Sequence, residues 1–200
     1  MAIERIAVIG AGQMGNGIAQ VAATSGFEVV MIDINQEAVD RGMATIERSL
    51  NKLVQKERLS QEDADAARAR LSVSTDRSPC AEADLVVEAV PEILSLKQSI
   101  FEDLDSICGP DTILASNTSS ISITKIAACT SRPEKVIGMH FMNPVPLMKL
   151  VEIIDGELTS SATNAAVVAA AEVMGKTPLT SQDYPGFISN RILCPMLNEA

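Results

Sequence analysis

Aromatic side chains are almost missing from these 200 residues: there is no tryptophan, one tyrosine and four phenylalanines. The chain therefore offers no stacking platform for single-stranded nucleic acid. A formal net charge of −10 also removes the basic footprint that a duplex requires. Histidine is scarcer still, with His140 alone, and the four cysteines (Cys80, Cys108, Cys129 and Cys194) form no C-x-x-C pair. These absences exclude the common zinc spacings and a disulfide framework, so free thiols in a reducing cytoplasm are expected. No run approaches the ~20 apolar residues of a membrane span. The first apolar segment is too short and too glycine-interrupted for a signal peptide. Neither a nucleic-acid nor a membrane partner is expected, and 46% hydrophobic residues suffice for a sizeable core.

Against these absences stands one dense motif. Ile6 to Ile9 is a short apolar run that leads into Gly10-Ala11-Gly12-Gln13-Met14-Gly15, glycines at the spacing G-x-G-x-x-G, and then into helix-forming residues. In a dinucleotide site the first glycine permits the tight turn, the second lets a pyrophosphate approach the backbone, and the third lets the helix pack on the sheet. The phosphates then meet a helix N-terminus, whose unpaired N–H groups favour an anion. A second apolar run, Phe27 to Ile32, ends in Asp33, 23 residues past Gly10. An acid about 20 residues on is the ribose-binding half of the pattern. Its carboxylate accepts from a ribose 2′-OH but repels a 2′-phosphate, by roughly 1 kcal/mol in water and about 4 kcal/mol near a protein surface. Ile34 and Asn35 supply no cation to offset this, so NAD is favoured over NADP.

The spacing predicts a helix from about Gln36 to Arg58, with Val39, Met43, Ile46, Leu50 and Leu53 as its apolar stripe, and a second from an N-cap at Ser60 to Arg70. Together they read as a helical hairpin over about 36–70 inserted after the second strand. Arg48, Lys52, Lys56 and Arg58 make its polar side basic, which fits equally a solvated face or an anion-binding one. Strand and helix signals then alternate: Leu85 to Val87, Leu94 to Leu104, Thr112 to Ala115, and Ile121 to Ala128. Such alternation implies an α/β, doubly wound and mostly parallel sheet. Val136 to Phe141 and Leu150 to Ile154 are joined through Asn143-Pro144-Val145-Pro146, short enough to make them antiparallel edge additions. A helix from Ala162 to Met174, a short strand over Pro178 to Thr180 and a final helix from Ile188 complete the reading, and no helix stop signal precedes Ala200.

His140 falls at the end of an apolar strand, where it is either a satisfied core residue or a candidate general base. Glu152 interrupts Leu150-Val151-Glu152-Ile153-Ile154, where an unpaired carboxylate is costly. If the two strands are neighbours, the acid holds one ring nitrogen and fixes the tautomer. Ser116-Asn117-Thr118-Ser119-Ser120 follows a strand and offers either helix caps or ligand contacts at the same sheet edge.

These stretches resemble the L-3-hydroxyacyl-CoA dehydrogenase family. The matching segments are Ile9 to Gly15, Val87-Glu88-Ala89-Val90-Pro91-Glu92, Ser116 to Ser120, Gly138-Met139-His140-Phe141-Met142-Asn143-Pro144, and Pro185-Gly186-Phe187-Ile188-Ser189-Asn190-Arg191, spread over nearly the whole chain. The resemblance implies a Rossmann-like fold, NAD as cofactor and oxidation of the C3 hydroxyl of a short-chain acyl-CoA such as 3-hydroxybutyryl-CoA, in fatty acid or butanoate metabolism. It implies His140 as catalytic base, Glu152 as its orienting partner, and Ser119 and Asn190 as contacts of the reacting oxygen. By the same resemblance Gly10, Gly12, Gln13, Met14, Gly15, Asp33, Glu92, Lys97, Asn117 and Asn143 line the cofactor site, while Ser49 and Lys56 meet coenzyme A.

Residues 1–185 correspond to the family's NAD-binding unit and 186–200 to the start of its helical C-terminal domain, which closes over the acyl-CoA and forms the homodimer interface. For the 200 residues alone, the expectation is NAD binding with weak or absent catalysis, no family-type dimer and an exposed apolar patch. Two other readings stay open, a non-catalytic NAD-binding module and a dehydrogenase of a free 3-hydroxy acid. Paired His140 and Glu152 speak against the first, and the basic hairpin face against the second.

Overall fold

The computed structural model describes residues 3–200. Among these, eight strands form one sheet: β1 (Arg5–Ile9), β2 (Glu28–Ile32), β3 (Leu71–Ser74), β4 (Leu85–Glu88), β5 (Ile113–Ser116), β6 (Val136–Phe141), β7 (Leu150–Asp155) and β8 (Thr177–Gln182). The helices are α1 (Gln13–Thr24), α2 (Gln36–Gln55), α3 (Gln61–Ala69), α4 (Leu94–Ile107), α5 (Ile123–Ala127), α6 (Ser161–Val173) and α7 (Ser189–Glu199). The strand order is β3-β2-β1-β4-β5-β6-β7-β8, parallel from β3 to β6, with β7 antiparallel to β6 and β8 parallel to β7. Chain order reverses between β1 and β4, and a crevice opens at such a switch point beyond the carboxyl ends of the strands.

Strict alternation along the strands splits the core in two. Ile6, Val8, Leu85, Val87, Met139 and Ile153 pack beneath α1, α2, α3 and α6. Ala7, Ile9, Val86, Leu114, Val136 and Ile154 pack beneath α4 and α5. This parity decides which face each polar strand residue occupies.

The hairpin stripe buries Val39, Ile46 and Leu50 completely, while Met43 and Leu53 are half-buried. Helix α2 stops at Gln55 rather than Arg58 because Glu57 adopts φ 55°, a left-handed conformation that cannot continue the helix. Ser60 caps α3 by accepting from the Asp63 N–H at 2.9 Å. Arg68 then clasps the hairpin, donating to Glu47 and Asn51 at 2.8 Å each.

Strand β3 is not predicted by the sequence pattern. It is a four-residue edge strand with no buried residue, and it forms because its backbone completes the ladder of β2 rather than because its side chains demand burial. At the other end of the chain, Ile192, Leu193, Met196 and Leu197 of α7 are exposed.

Candidate active site

The three glycines of the first loop do different physical work. Gly10 has φ +102°, and a Cβ there would stand 2.7 Å from the Ala89 carbonyl oxygen, so β1 and β4 approach too closely for a side chain. A Cβ at Gly15 would overlap the Gly10 carbonyl oxygen. At Gly12 a Cβ would meet nothing within 4 Å. That open space lies at the start of α1, where no side chain caps the helix. Helix N–H groups left without partners beside open space fit an anionic group.

Asp33 is held by two backbone bonds at 2.7 Å, from Ala11 N–H to Oδ2 and from Ile34 N–H to Oδ1. Each oxygen keeps further acceptor capacity, and Asp33 lines a cleft of about 760 Å³ together with Gly10, Gly12, Arg41, Arg77 and Val90. Arg41 and Arg77 are already paired with Glu37 and Asp103. The cradle and the carboxylate therefore fit a dinucleotide whose ribose carries a free 2′-OH. Gln13 reaches Asn143 (3.2 Å), tying this loop to the end of β6. The Met14 side chain packs on the core, which leaves its backbone to face the loop.

The second half of the site follows from strand parity. Glu88 and Ser116 are register partners on β4 and β5, on the α4–α5 face, and the Ser116 hydroxyl donates to Glu88 at 2.7 Å. Glu88 is fully buried and also accepts from Val90 N–H (2.7 Å) and Lys97 Nζ (2.6 Å). Lys97, 1% exposed, turns its other donors to the Val90 carbonyl (3.2 Å) and Glu92 (3.4 Å). Its ammonium thus bridges Glu88, the Val90 carbonyl and Glu92, and holds the two carboxylates together. Glu92 in turn collects the Thr118 hydroxyl (2.5 Å), the Ser119 and Ser120 N–H groups (3.0 and 3.1 Å) and the Ser120 hydroxyl (3.2 Å). Burial pushes the Glu92 carboxyl up, but the Thr118 hydroxyl, Lys97 and these N–H groups outweigh it and hold it below the usual carboxylate range.

His140 and Glu152 are directly opposite one another on β6 and β7, again on the α4–α5 face, with Nδ1 2.8 Å from Oε2. Glu152 is fully buried and saturated with donors: Ile188 N–H (3.0 Å) and Ser189 N–H (2.8 Å) on Oε1, and the Ser189 hydroxyl (2.7 Å) beside His140 on Oε2. Burial raises the Glu152 carboxyl, and the Ser189 hydroxyl and N–H, His140 and the Ile188 N–H together pull it below its ordinary value. A charged acceptor facing Nδ1 selects the tautomer with the proton there. The other ring nitrogen, Nε2, has no protein partner, and no unpartnered side-chain nitrogen or oxygen is sealed from solvent among the described residues. The residue is 6% exposed, and its ring packs edge-on against Phe187, centroids 6.0 Å apart. One nitrogen fixed and the other free is the arrangement of an oriented base.

Around this pair, Asn117 accepts from the Phe141 N–H (2.9 Å), and the Asn190 amide donates to the Ser119 carbonyl (3.3 Å). Ser119 and Asn190 share the wall of a groove of about 510 Å³, whose lining does not include His140. Ser49 and Lys56 stand apart on the hairpin, half-buried and exposed respectively, with no side-chain bond to the rest of the cluster among the described residues. Sequence reasoning gave Glu88 and Ser189 no role, and offered Ser116 as a cap or ligand contact rather than as the partner of Glu88. Glu88 carried a signal akin to that of Glu152, an acid on an apolar strand, at its end rather than within it, whereas Ser189 carried none.

Residues 5–184 match the family model of the 3-hydroxyacyl-CoA dehydrogenase NAD-binding domain. A probable 3-hydroxybutyryl-CoA dehydrogenase of Deinococcus radiodurans is 55% identical over 98% of the chain and 70% of its own length. The 3-hydroxybutyryl-CoA dehydrogenase of Bradyrhizobium diazoefficiens is 48% identical, over 99% of the chain and 68% of its own. The crystal structure of (S)-3-hydroxybutyryl-CoA dehydrogenase from Ralstonia eutropha superposes with a TM-score of 0.97 at 51% identity, covering 99% of this chain and 70% of that one. Among the described residues no helix is long and apolar enough to cross a membrane.

Proposed function

From the premise that the chain belongs to the 3-hydroxyacyl-CoA dehydrogenase family, we propose that it oxidises the C3 hydroxyl of a short-chain L-3-hydroxyacyl-CoA, 3-hydroxybutyryl-CoA foremost, to the 3-ketoacyl-CoA, and catalyses the reverse. The observation that carries this reading is the His140–Glu152 pair, with Nδ1 engaged at 2.8 Å and Nε2 free. Bound NAD supplies the hydride acceptor. His140 takes the hydroxyl proton at Nε2 as C3 loses hydride, and in the reverse direction it returns that proton to the carbonyl oxygen. Glu152 keeps Nδ1 protonated and stabilises the imidazolium that forms. Ser119 and Asn190 hydrogen-bond the reacting oxygen and so fix C3 in place.

Gly12 and Gln13 hold the pyrophosphate on the loop that Gly10 and Gly15 shape, with the Met14 backbone alongside, and Asp33 receives the ribose hydroxyl. Glu92, Lys97, Asn117 and Asn143 complete the cofactor wall. Ser49 and Lys56 receive the coenzyme A moiety, in keeping with exposed cations Arg48, Lys52, Lys56 and Arg58 along one hairpin face. We assign 1–185 to the NAD-binding unit and 186–200 to the beginning of the family's helical domain. The four free cysteines suit a cytoplasmic setting.

Incubation with NADH and acetoacetyl-CoA, following NADH loss while NAD binding is measured by calorimetry, tests the reading. Turnover of the thioester well above that of free acetoacetate supports it. Equal rates for the two would remove the role of the hairpin, and full turnover by a His140→Ala variant would remove the base.

A further inference from the structure

Helix α7 begins on the dyad acid itself. Glu152 accepts the N–H groups of Ile188 and Ser189 on Oε1, 36 and 37 residues further along the chain, so a buried carboxylate from β7 serves as the cap of α7. The Ser189 hydroxyl adds a third bond from the same turn, at 2.7 Å, to the same Oε2 that His140 engages at 2.8 Å. The chain turns into this position through Gly186 and Phe187, both at positive φ (77° and 50°), and Phe187 then seats its ring edge-on against the imidazole. The serine thus divides with the imidazole the negative charge of one carboxylate oxygen.

We propose that Ser189 is a positioning residue of the His140–Glu152 pair, whose hydroxyl moderates how strongly Oε2 stabilises the imidazolium. The inference rests on the reading of His140 as base. Charge shared between two donors on one oxygen weakens its pull on each. Removing the hydroxyl while Oε1 stays anchored by two backbone N–H groups leaves Oε2 to the imidazole alone, so the ring holds its proton more tightly. The depressed Glu152 carboxyl, with Ser189 the first of the groups opposing burial, agrees with this division.

The charged groups on the elements around β6 do not compete for the ring. Lys125 on α5 and Glu172 on α6 are exposed, Asp155 on β7 pairs with Ile137 at the far end of the strand, and Arg191 on α7 lies over Tyr184 at 5.7 Å. None of them hydrogen-bonds or ion-pairs with His140. Strand β5, also packed on β6, carries no titratable residue.

The test compares Ser189→Thr, which keeps the hydroxyl, with Ser189→Val, which has the same shape without it. Because His140 is the chain's one histidine, its imidazole titration can be followed directly by NMR in the intact protein. The expected result is a midpoint at higher pH in the valine variant than in the threonine variant. On the acid limb of 3-hydroxybutyryl-CoA oxidation, the valine variant should be roughly threefold slower than the threonine variant, with the plateau rate less affected. Coincident titrations in the two variants would overturn the proposal. A shifted titration with an unmoved acid limb would uphold the role of Ser189 and overturn His140 as base. Should the valine variant fail to fold, Ser189→Ala against wild type gives the same comparison.

Discussion

Glu152 stands directly across the β6–β7 pairing from His140, and its Oε2 lies 2.8 Å from the imidazole Nδ1. One residue of register slip would send either side chain to the opposite face of the sheet and separate them. Replacing His140 by alanine should lower kcat/KM for 3-hydroxybutyryl-CoA oxidation by about 10²–10⁴-fold and leave NAD affinity within a factor of about two. Steady-state kinetics with calorimetry checks both, and a matching loss of NAD binding would show a structural defect instead.

Gly12 and Gly15 should separate binding from folding. Gly12→Ala places a methyl group in open space at the start of α1, with a backbone (φ −65°, ψ −169°) that alanine tolerates. Its melting temperature should stay unchanged while NAD affinity falls tenfold or more, about 1.4 kcal/mol. Gly15→Ala forces a methyl group onto the Gly10 carbonyl. Overpacking of this kind costs about 1–3 kcal/mol, visible as a lower unfolding midpoint without any ligand.

The buried ion pair of Lys97 and Glu88 makes a different prediction. Lys97→Met leaves the Glu88 carboxylate with Val90 N–H and the Ser116 hydroxyl only. Stranding one partner of a buried pair costs about 3–5 kcal/mol. The double variant Glu88→Gln, Lys97→Met should recover much of that loss in urea unfolding, since no charge is then left buried; an additive double loss would contradict the pairing.

Acid should unfold the protein through a small set of carboxylates. Partial or full desolvation pushes Glu92, Glu152 and Asp183 up, yet hydrogen bonds, with Lys97 beside Glu92, pull each below its ordinary value; for Asp183 these come from the Ser122 hydroxyl and the N–H groups of Thr124 and Ile123 at the start of α5. A depressed folded-state pKa gives stability that is complete above the unfolded value, roughly pH 4, and is lost as pH falls through the folded one. The melting temperature should be flat from about pH 5 to 7 and drop below pH 4. Asp183→Asn should start lower and fall less steeply in acid.

Short-range pattern reached far in this chain. Gly10, Gly12, Gly15 and Asp33 were readable because turn geometry and anion approach impose residue types at fixed local spacing. The pairing of His140 with Glu152 followed from two apolar strands joined by a connection too short for a crossover. Pattern failed where a residue's environment is assembled from distant segments. Strand β3 is held by the ladder of β2, and nothing local reveals that Glu88 and Glu92 surround Lys97.

The amino-acid sequence alone determined the order of the strands and helices other than β3, the glycine loop after β1 and the preference of Asp33, since each depends on periodicity or on residues within one βαβ unit. Only the tertiary structure decided that Glu88, Ser116, His140 and Glu152 share the α4–α5 face, and that Ser189 closes on Glu152 from 37 residues away. The physical reason is that strand parity sets a side chain's face relative to its own strand, whereas the partners that make a buried charge tolerable arrive from wherever the fold brings a donor.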